Sequence, residues 1–337
     1  MKLLVTGATG FIGSYLVENL LSKGFDVFCL VRKSASKEKI NALMEKGAKI
    51  CYGDITDKNS LRSIPKDIDV VFHLAALIDR ALPKYEPYYQ VNVLGTKNLV
   101  ERLLDSNIKK FIFTSSIAAV GLVKTENGLL DENVKCNPIT FYGKSKYEAE
   151  RLLFRYFTEN KFPILIIRPP TIYGPGSKHA ILDMARLIKR KSLRHEPFVY
   201  INRGRAKTSL CYIENVIEAL LLTIKCKRIG EIFHVDDGRP YTTKEMVETI
   251  ASVLGAELCF VSIPKRVARG FASLNEMLSE IFGLKIISIT RKEVELFSTD
   301  LAFDITKARR YLGYEPKNNF KKFMEETIEW YKENHLL

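Results

Sequence analysis

The amino-acid sequence predicts an α/β protein built on a doubly wound parallel sheet, followed by a smaller C-terminal substrate domain. Three observations carry this expectation. Short apolar runs alternate with amphipathic helical stretches as far as Arg168. A glycine-rich turn joins the first apolar run to the first helical one. Beyond Arg168 the alternation breaks at Pro169-Pro170 and Gly174-Pro175-Gly176.

The runs Leu3–Thr6, Asp26–Val31, Lys49–Tyr52, Val70–His73, Lys110–Thr114 and Ile164–Arg168 are almost continuously apolar. Strands buried on both faces of a parallel sheet have this pattern. Between them Ser14–Lys23, closed by Gly24 as its C-cap, and Gly95–Asp105 read as helices. Such alternation implies right-handed crossovers. Residues 1–168 are expected to form the first domain, with 209–235 returning to it, and 169–337 mainly the second. In the second, a helix around Ala180–Lys191 precedes two short strands, Ser209–Ile213 and Glu231–Val235. The first of these feeds a helix over Asn215–Ile224. Helical periodicity over Ile263–Asp304 places Val267, Phe271, Leu274, Leu278 and Ile281-Phe282 on one side. That stretch reads as a cap helix packed on the second domain. With Lys265, Arg266 and Arg269 it also fits a basic amphipathic helix at a membrane surface. Phe320–Asn334 is the last helix, and no repeat or low-complexity linker interrupts the chain.

Length and composition narrow the function classes. A chain of 337 residues has room for about two domains, and 46% hydrophobic residues can bury a substantial core. No apolar run approaches the roughly 20 residues of a membrane span. Met1-Lys2 leads directly into the first strand, which leaves no place for a signal peptide. Cys29, Cys51, Cys136, Cys211, Cys226 and Cys259 are scattered without a Cys-x-x-Cys pair. They read as reduced thiols, and a cytoplasmic protein is expected. Five isolated histidines offer no metal-ligand spacing, so no metal is expected. The net charge of +13 fits a solvated, Lys-rich surface or an attraction for a phosphorylated cofactor, an acidic substrate or a lipid surface. Lys189-Arg190-Lys191 and Arg194 fall at a helix end, where cations complement the dipole without a partner. Nucleic acid is not an expected partner, nor is a membrane; a small-molecule substrate is.

Thr6-Gly7-Ala8-Thr9-Gly10-Phe11-Ile12-Gly13 spaces its glycines as Gly-x-x-Gly-x-x-Gly at a strand-to-helix junction. Gly7 permits the tight turn, Gly10 lets backbone approach a pyrophosphate, and Gly13 lets the helix pack on the strand. An acidic residue about 20 positions on would select NAD through the ribose 2′-hydroxyl. That place holds Arg32, followed by Lys33, so a 2′-phosphate and NADP are favoured, with NAD possible. Asp54, followed by Ile55, is placed to accept from the adenine amino group, while Asp57 caps the next helix. His73-Leu74-Ala75-Ala76 ends the fourth strand at the carboxyl edge, where ligands bind in such sheets. Ala75 and Ala76 leave space for the cofactor, and His73 reads as structural.

Tyr142 and Lys146 stand four apart at a helix start and face the same way. A free phenol titrates near ~10, too high for a base at neutral pH. A nearby ammonium and the nicotinamide charge favour the phenolate. Ser115-Ser116 leave the fifth strand at the same edge, where a hydroxyl can bind the substrate oxygen.

These segments, with Asn92-Val93-Leu94-Gly95-Thr96, Arg168-Pro169-Pro170-Thr171-Ile172-Tyr173-Gly174-Pro175 and Leu312-Gly313-Tyr314-Glu315-Pro316, together resemble the extended short-chain dehydrogenase/reductase family. The resemblance implies a Rossmann domain, a smaller C-terminal substrate domain and, for many members, a homodimer. It maps the family's catalytic hydroxyl, tyrosine and lysine onto Ser116, Tyr142 and Lys146. It also places Asn92 and Pro169 near the nicotinamide. Two subgroups fit. Arg32 and the Arg168–Gly176 stretch resemble hydroxysteroid-dehydrogenase-like and dihydroflavonol-reductase-like members, which imply an NADP-linked oxidoreductase acting on a cyclic secondary alcohol or ketone. The alternative is an NAD-dependent sugar-nucleotide epimerase. Epimerases carry a diphosphate-binding arginine where this chain has Thr208, with Arg205 and Lys207 nearby. Ser116 is followed by Ile117-Ala118 without the carboxylate a dehydratase needs.

Overall fold

The computed structural model describes residues 1–79, 82–123, 128–282 and 291–337, without the side chains of 274–282, 292, 293 and 296. Strands β1 (Lys2–Thr6), β2 (Asp26–Val31), β3 (Lys49–Tyr52), β4 (Val70–His73), β5 (Lys110–Thr114) and β6 (Ile164–Arg168) alternate with helices. These are α1 (Phe11–Ser22), α2 (Lys37–Glu45), α3 (Glu86–Tyr88), α4 (Gly95–Leu103) and α5 (Phe141–Asn160). The six strands fall within one residue of the apolar runs. They form one parallel sheet in the order β3-β2-β1-β4-β5-β6, and a seventh strand, Glu231–His234, lies beside β6. The chain turns back at β1 and crosses to β4, and at such a reversal a crevice opens at the carboxyl ends.

Burial explains the apolar runs. On β1, Leu3 and Val5 enter one hydrophobic cluster and Leu4 the other. On β5, Ile112 faces the first cluster while Phe111 and Phe113 face the second. Alternate side chains thus point to opposite faces, and helices cover both. Gly24 has a φ of +76° after the end of α1, as its C-cap role requires.

After Arg168 come β7 (Thr171–Tyr173), α6 (Ala180–Leu193), β8 (Phe198–Ile201), β9 (Lys207–Thr208), β10 (Leu210–Tyr212), α7 (Ile213–Lys225) and β11 (Glu231–His234). Then follow β12 (Tyr241–Thr242), α8 (Thr243–Leu254), β13 (Phe260–Ile263), α9 (Lys265–Phe282), α10 (Arg291–Ser298), α11 (Thr306–Leu312) and α12 (Phe320–Glu333). Of the described strands after β6, only β11 joins the large sheet. Strand β10 pairs with β7, β12 with β9, and β13 with β8.

The Ile263–Asp304 stretch departs from expectation. It contains two helices, and Val267 and Phe271 are exposed. Ala268 and Ala272, one residue further on, are buried with Ile201 and Val294. A one-residue offset turns a helix by about 100°, and the small alanines let α9 sit close to its neighbours. Leu274, Leu278, Ile281 and Phe282 lie outside the described side chains. Lys265 pairs with Glu295 of α10 at 2.8 Å, and Arg269 lies 3.7 Å from the same carboxylate. Two of the three cations that suggested a membrane face are therefore partnered. No described helix is long and apolar enough to cross a membrane.

Candidate active site

The glycine turn follows β1 directly. Gly7 has a φ of +72°, and a Cβ there would lie 2.8 Å from the Ala75 nitrogen. A side chain at this position would therefore force β1 and the β4 exit apart. Gly10 is the N-cap of α1 and no side chain caps the helix. The first intrahelical bond is Ser14 N to Gly10 O at 3.0 Å, so the N–H groups of Phe11, Ile12 and Gly13 are left to an anion. A Cβ on Gly13 would strike the Gly7 carbonyl. A dinucleotide pyrophosphate fits this uncapped end.

Arg32 and Lys33 are exposed just beyond β2. Lys39 of α2, which the spacing rules did not single out, donates to the Thr9 carbonyl at 3.2 Å and adds a third cation. Asp54 accepts from the Thr56 backbone at 2.9 Å and its hydroxyl at 2.8 Å through one oxygen. Ile55 is buried against Gly95. Asp57 is a correction. It accepts from Asn59 N at 3.0 Å in a turn, and the short helix beyond it, Ser60–Ser63, has no side-chain cap.

A directional hydrogen-bond chain fixes the β4 exit. Ala75 N–H donates to Thr6 Oγ1 at 3.1 Å, and the Thr6 hydroxyl donates to His73 Nδ1 at 2.7 Å. The ring proton then sits on Nε2, which donates to Thr96 Oγ1 at 2.8 Å. Thr96 in turn donates to the Asn92 carbonyl at 2.7 Å. Burial pushes the His73 imidazole down to about 3, so it stays neutral. The chain holds Leu74, Ala75 and Ala76 beside Gly7. Asn92 is fully engaged: its oxygen accepts from Leu77 N at 2.7 Å, and its Nδ2 donates to Leu77 O and to Ser145 Oγ. It braces the loop after β4 against α5.

One close approach brings the start of α5, which carries Tyr142 and Lys146, onto the turn that carries Ser116. Ser116 follows β5 in extended backbone, and its Oγ accepts from Ala118 N at 3.1 Å. Thr140 caps α5 by accepting from Gly143 N at 3.0 Å. A Cβ on Gly143 would strike the Ala118 carbonyl, so glycine lets the start of α5 sit on the Ser116–Ala119 turn. Tyr142 is half-buried there, and its carbonyl accepts from Ser145 Oγ at 2.8 Å. Lys146, one turn on, is 1% exposed with its ammonium 4.0 Å from the Phe113 ring centre. Burial pushes this amine down to about 7, opposed by the Glu150 charge. Pro169 is buried, and its carbonyl accepts from Ile117 N at 3.1 Å. Gly143, Ser145, Glu150 and Arg168 were not singled out from the sequence. The only signals were a Tyr-Gly dipeptide at a helix start and two charges in apolar surroundings.

Thr208 lies on β9, bridged to Leu301, with Arg205 and Lys207 exposed beside it. Among the described residues no group of three or more His, Cys, Asp or Glu could hold a metal.

Residues 3–235 match the model of the NAD dependent epimerase/dehydratase family. The chain is 30% identical to the UDP-glucose 4-epimerase of Vibrio cholerae, over 97% of this chain and 94% of that one. It is 27% identical to the 3-beta-hydroxysteroid dehydrogenase of Mycolicibacterium neoaurum, over 98% and 91%. A UDP-glucose 4-epimerase structure from Thermotoga maritima shares the fold, with a TM-score of 0.77, 24% identity and coverage of 99% and 100%. The chain belongs to the NAD dependent epimerase/dehydratase family and is an enzyme.

Proposed function

We propose that this member of the NAD dependent epimerase/dehydratase family is an NADP-preferring oxidoreductase acting on a secondary alcohol or ketone of a cyclic, partly apolar substrate. The observation that carries the reading is the buried Lys146 ammonium one helical turn after Tyr142, beside the Ser116 turn. The bound dinucleotide would supply or accept the hydride. Tyr142 Oη gives the substrate oxygen a proton or takes one from it. Lys146 favours the phenolate by its charge and holds the nicotinamide ribose, and the Ser116 hydroxyl orients the substrate oxygen. Gly7, Thr9, Gly10, Phe11, Ile12 and Gly13 hold the pyrophosphate at the start of α1. Arg32 and Lys33, with Lys39, face the adenosine 2′-position; Asp54 and Ile55 bound the adenine. Leu74, Ala75, Ala76 and Pro169 shape the nicotinamide end, with Asn92 bracing it. Residues 1–168 with 209–235 form the cofactor domain, the rest of 169–337 mainly the substrate domain, and the enzyme works as a homodimer.

Tyr142→Phe keeps the ring, so folding and cofactor affinity should hold while turnover falls by roughly 10²–10⁴. A variant turning over at the wild-type rate would refute the mechanism. A second reading, sugar-nucleotide epimerisation, is favoured by the similarity to the Vibrio cholerae enzyme. It would require Arg205 or Lys207 to hold a diphosphate. Micromolar UDP binding in calorimetry would replace the first reading with the second; no binding of any nucleoside diphosphate supports the first.

A further inference from the structure

Lys146 carries its charge in a nearly water-free place with an acid close by. Glu150 is one helical turn further along α5, where side chains four apart meet on one face. Both residues are buried, and in a low-dielectric site an ammonium and a carboxylate at this spacing attract strongly. Yet among the described residues no carboxylate lies within 4.0 Å of Lys146. Arg168 accounts for this. From the end of β6 it donates to Glu150 through Nε at 2.8 Å and through Nη2 at 2.6 Å, so both carboxylate oxygens are taken. The two side chains are 3% and 2% exposed. A guanidinium fork matches a carboxylate in this two-point way, and an amine does not.

We propose that Arg168 and Glu150 are positioning residues: by engaging both oxygens of Glu150, Arg168 keeps it from capturing Lys146 and leaves that ammonium turned to the cofactor and Tyr142. The inference rests on the reading of Lys146 given above. The Glu150 charge opposes the downward push of burial on the Lys146 amine, while the fork of Arg168 holds that carboxylate in place, so the ammonium is not pulled out of the cleft. The groups facing Lys146 are His73 from β4, held neutral, Phe113 from β5, and Tyr142 and Glu150 on its own helix. Arg168 itself is flanked by Cys136, whose sulfur is 3.5 Å from Nη2, and by His234, its register partner on β11. Burial pushes the His234 imidazole down to about 3, so it adds no charge.

The test is NADPH affinity, read by its fluorescence from pH 6 to 9, for wild type and four variants. Lys146→Met identifies the midpoint that belongs to the amine, because that variant loses it. In Glu150→Gln, Arg168 is left as an uncompensated cation and the midpoint should fall by about one pH unit; in Arg168→Gln, Glu150 is released to Lys146 and it should rise by about one. Glu150→Gln/Arg168→Gln removes both charges and should return close to wild type. A pair that serves only to hold the fold would weaken affinity at every pH with the midpoint unmoved, and that result overturns the proposal. If Arg168→Gln does not fold, the comparison is Glu150→Gln against the double variant, with the lower midpoint expected in the former and equal midpoints fatal. A wild-type midpoint that survives Lys146→Met would instead overturn the reading of Lys146 itself.

Discussion

The central sheet and the small unit formed by β8, β13, α9 and α10 are held together in different ways. In the sheet every core strand divides its side chains between two large clusters, and directional hydrogen bonds tie Thr6, His73, Thr96 and Asn92 across four segments. In the small unit Ile201, Ala268, Ala272 and Val294 form a small cluster of their own, while Phe198 and Tyr200 of β8 are buried in the first large one. Val199, Val261, Val267 and Phe271 stay exposed, and the ion pairs of Lys265 and Arg269 with Glu295 are partly solvated, a setting worth ~0–1 kcal/mol each. The residues proposed to hold the cofactor and to react sit on the sheet, the more densely tied of the two. The other part can change its surface at small cost to stability, which suits a region that would select among substrates.

The largest expected effect strikes the rigid part. Gly143→Val would push the start of α5 off the Ala118 carbonyl and shift Tyr142 relative to Ser116. A displacement near 1 Å costs about 10² in turnover, while NADPH affinity, set mainly at the α1 end, should change far less. Steady-state kinetics beside a binding titration checks this, and equal losses in both would erase the distinction. Stability should divide the same way. Leu4→Ala in the sheet should lose about 2–5 kcal/mol, against about 1–3 kcal/mol for overpacking Ala272→Leu in the small unit, read by urea denaturation. Equal losses would mean that the two regions are packed alike.

Acid sensitivity can be read within the sheet and the residues that follow it. His73 is pushed from 6.5 down to about 3 by burial, and His234 of β11 likewise. Both folded values are depressed, so the neutral forms support folding above pH 6.5 and that support fades as pH falls towards 3. Asp236 and Asp237, just after β11, are pushed by burial from 3.8 up to about 6. Their contribution is complete below about 4 and is lost as pH rises through about 6. The two trends oppose each other, so wild-type stability should be nearly flat from pH 6.5 to 5. His73→Asn removes one of the two histidines, and its stability should rise over that interval by up to ~2 kcal/mol relative to wild type. Parallel profiles in urea titrations would contradict this. The effect most confined to one contact belongs to the exposed Arg32. Losing a charge-assisted phosphate contact is worth about 1.5–3 kcal/mol, so Arg32→Asp should swing preference towards NAD by at least about tenfold. An unchanged ratio would remove Arg32 from the cofactor site.

The same division governs what could be read from the sequence. The six strands were legible because burial on both faces leaves almost no polar residue in a run such as Ile164–Ile167. The glycine turn was legible because a positive φ at Gly7 and close packing at Gly13 admit few other residues. In α9 the periodicity was right and its phase was wrong. Large apolar residues mark a buried face only where there is space for them, and here alanines fill it. Glu150 and Arg168 were missed because their partnership spans 18 positions and exists only once α5 lies beside β6. Asn92 was placed near the cofactor by resemblance, and its bonds to Leu77 and Ser145 join segments that no spacing in the sequence connects.

Mass spectrometry of the dinucleotide that stays with the purified protein through gel filtration tests the proposed oxidoreductase most directly. An enzyme that exchanges its cofactor every turnover should lose it readily, take up NADPH in preference to NADH, and show no stoichiometric NAD. One NAD retained per chain, resistant to exchange with NADP, would contradict the account and mark the enzyme as one that returns the hydride to its own substrate.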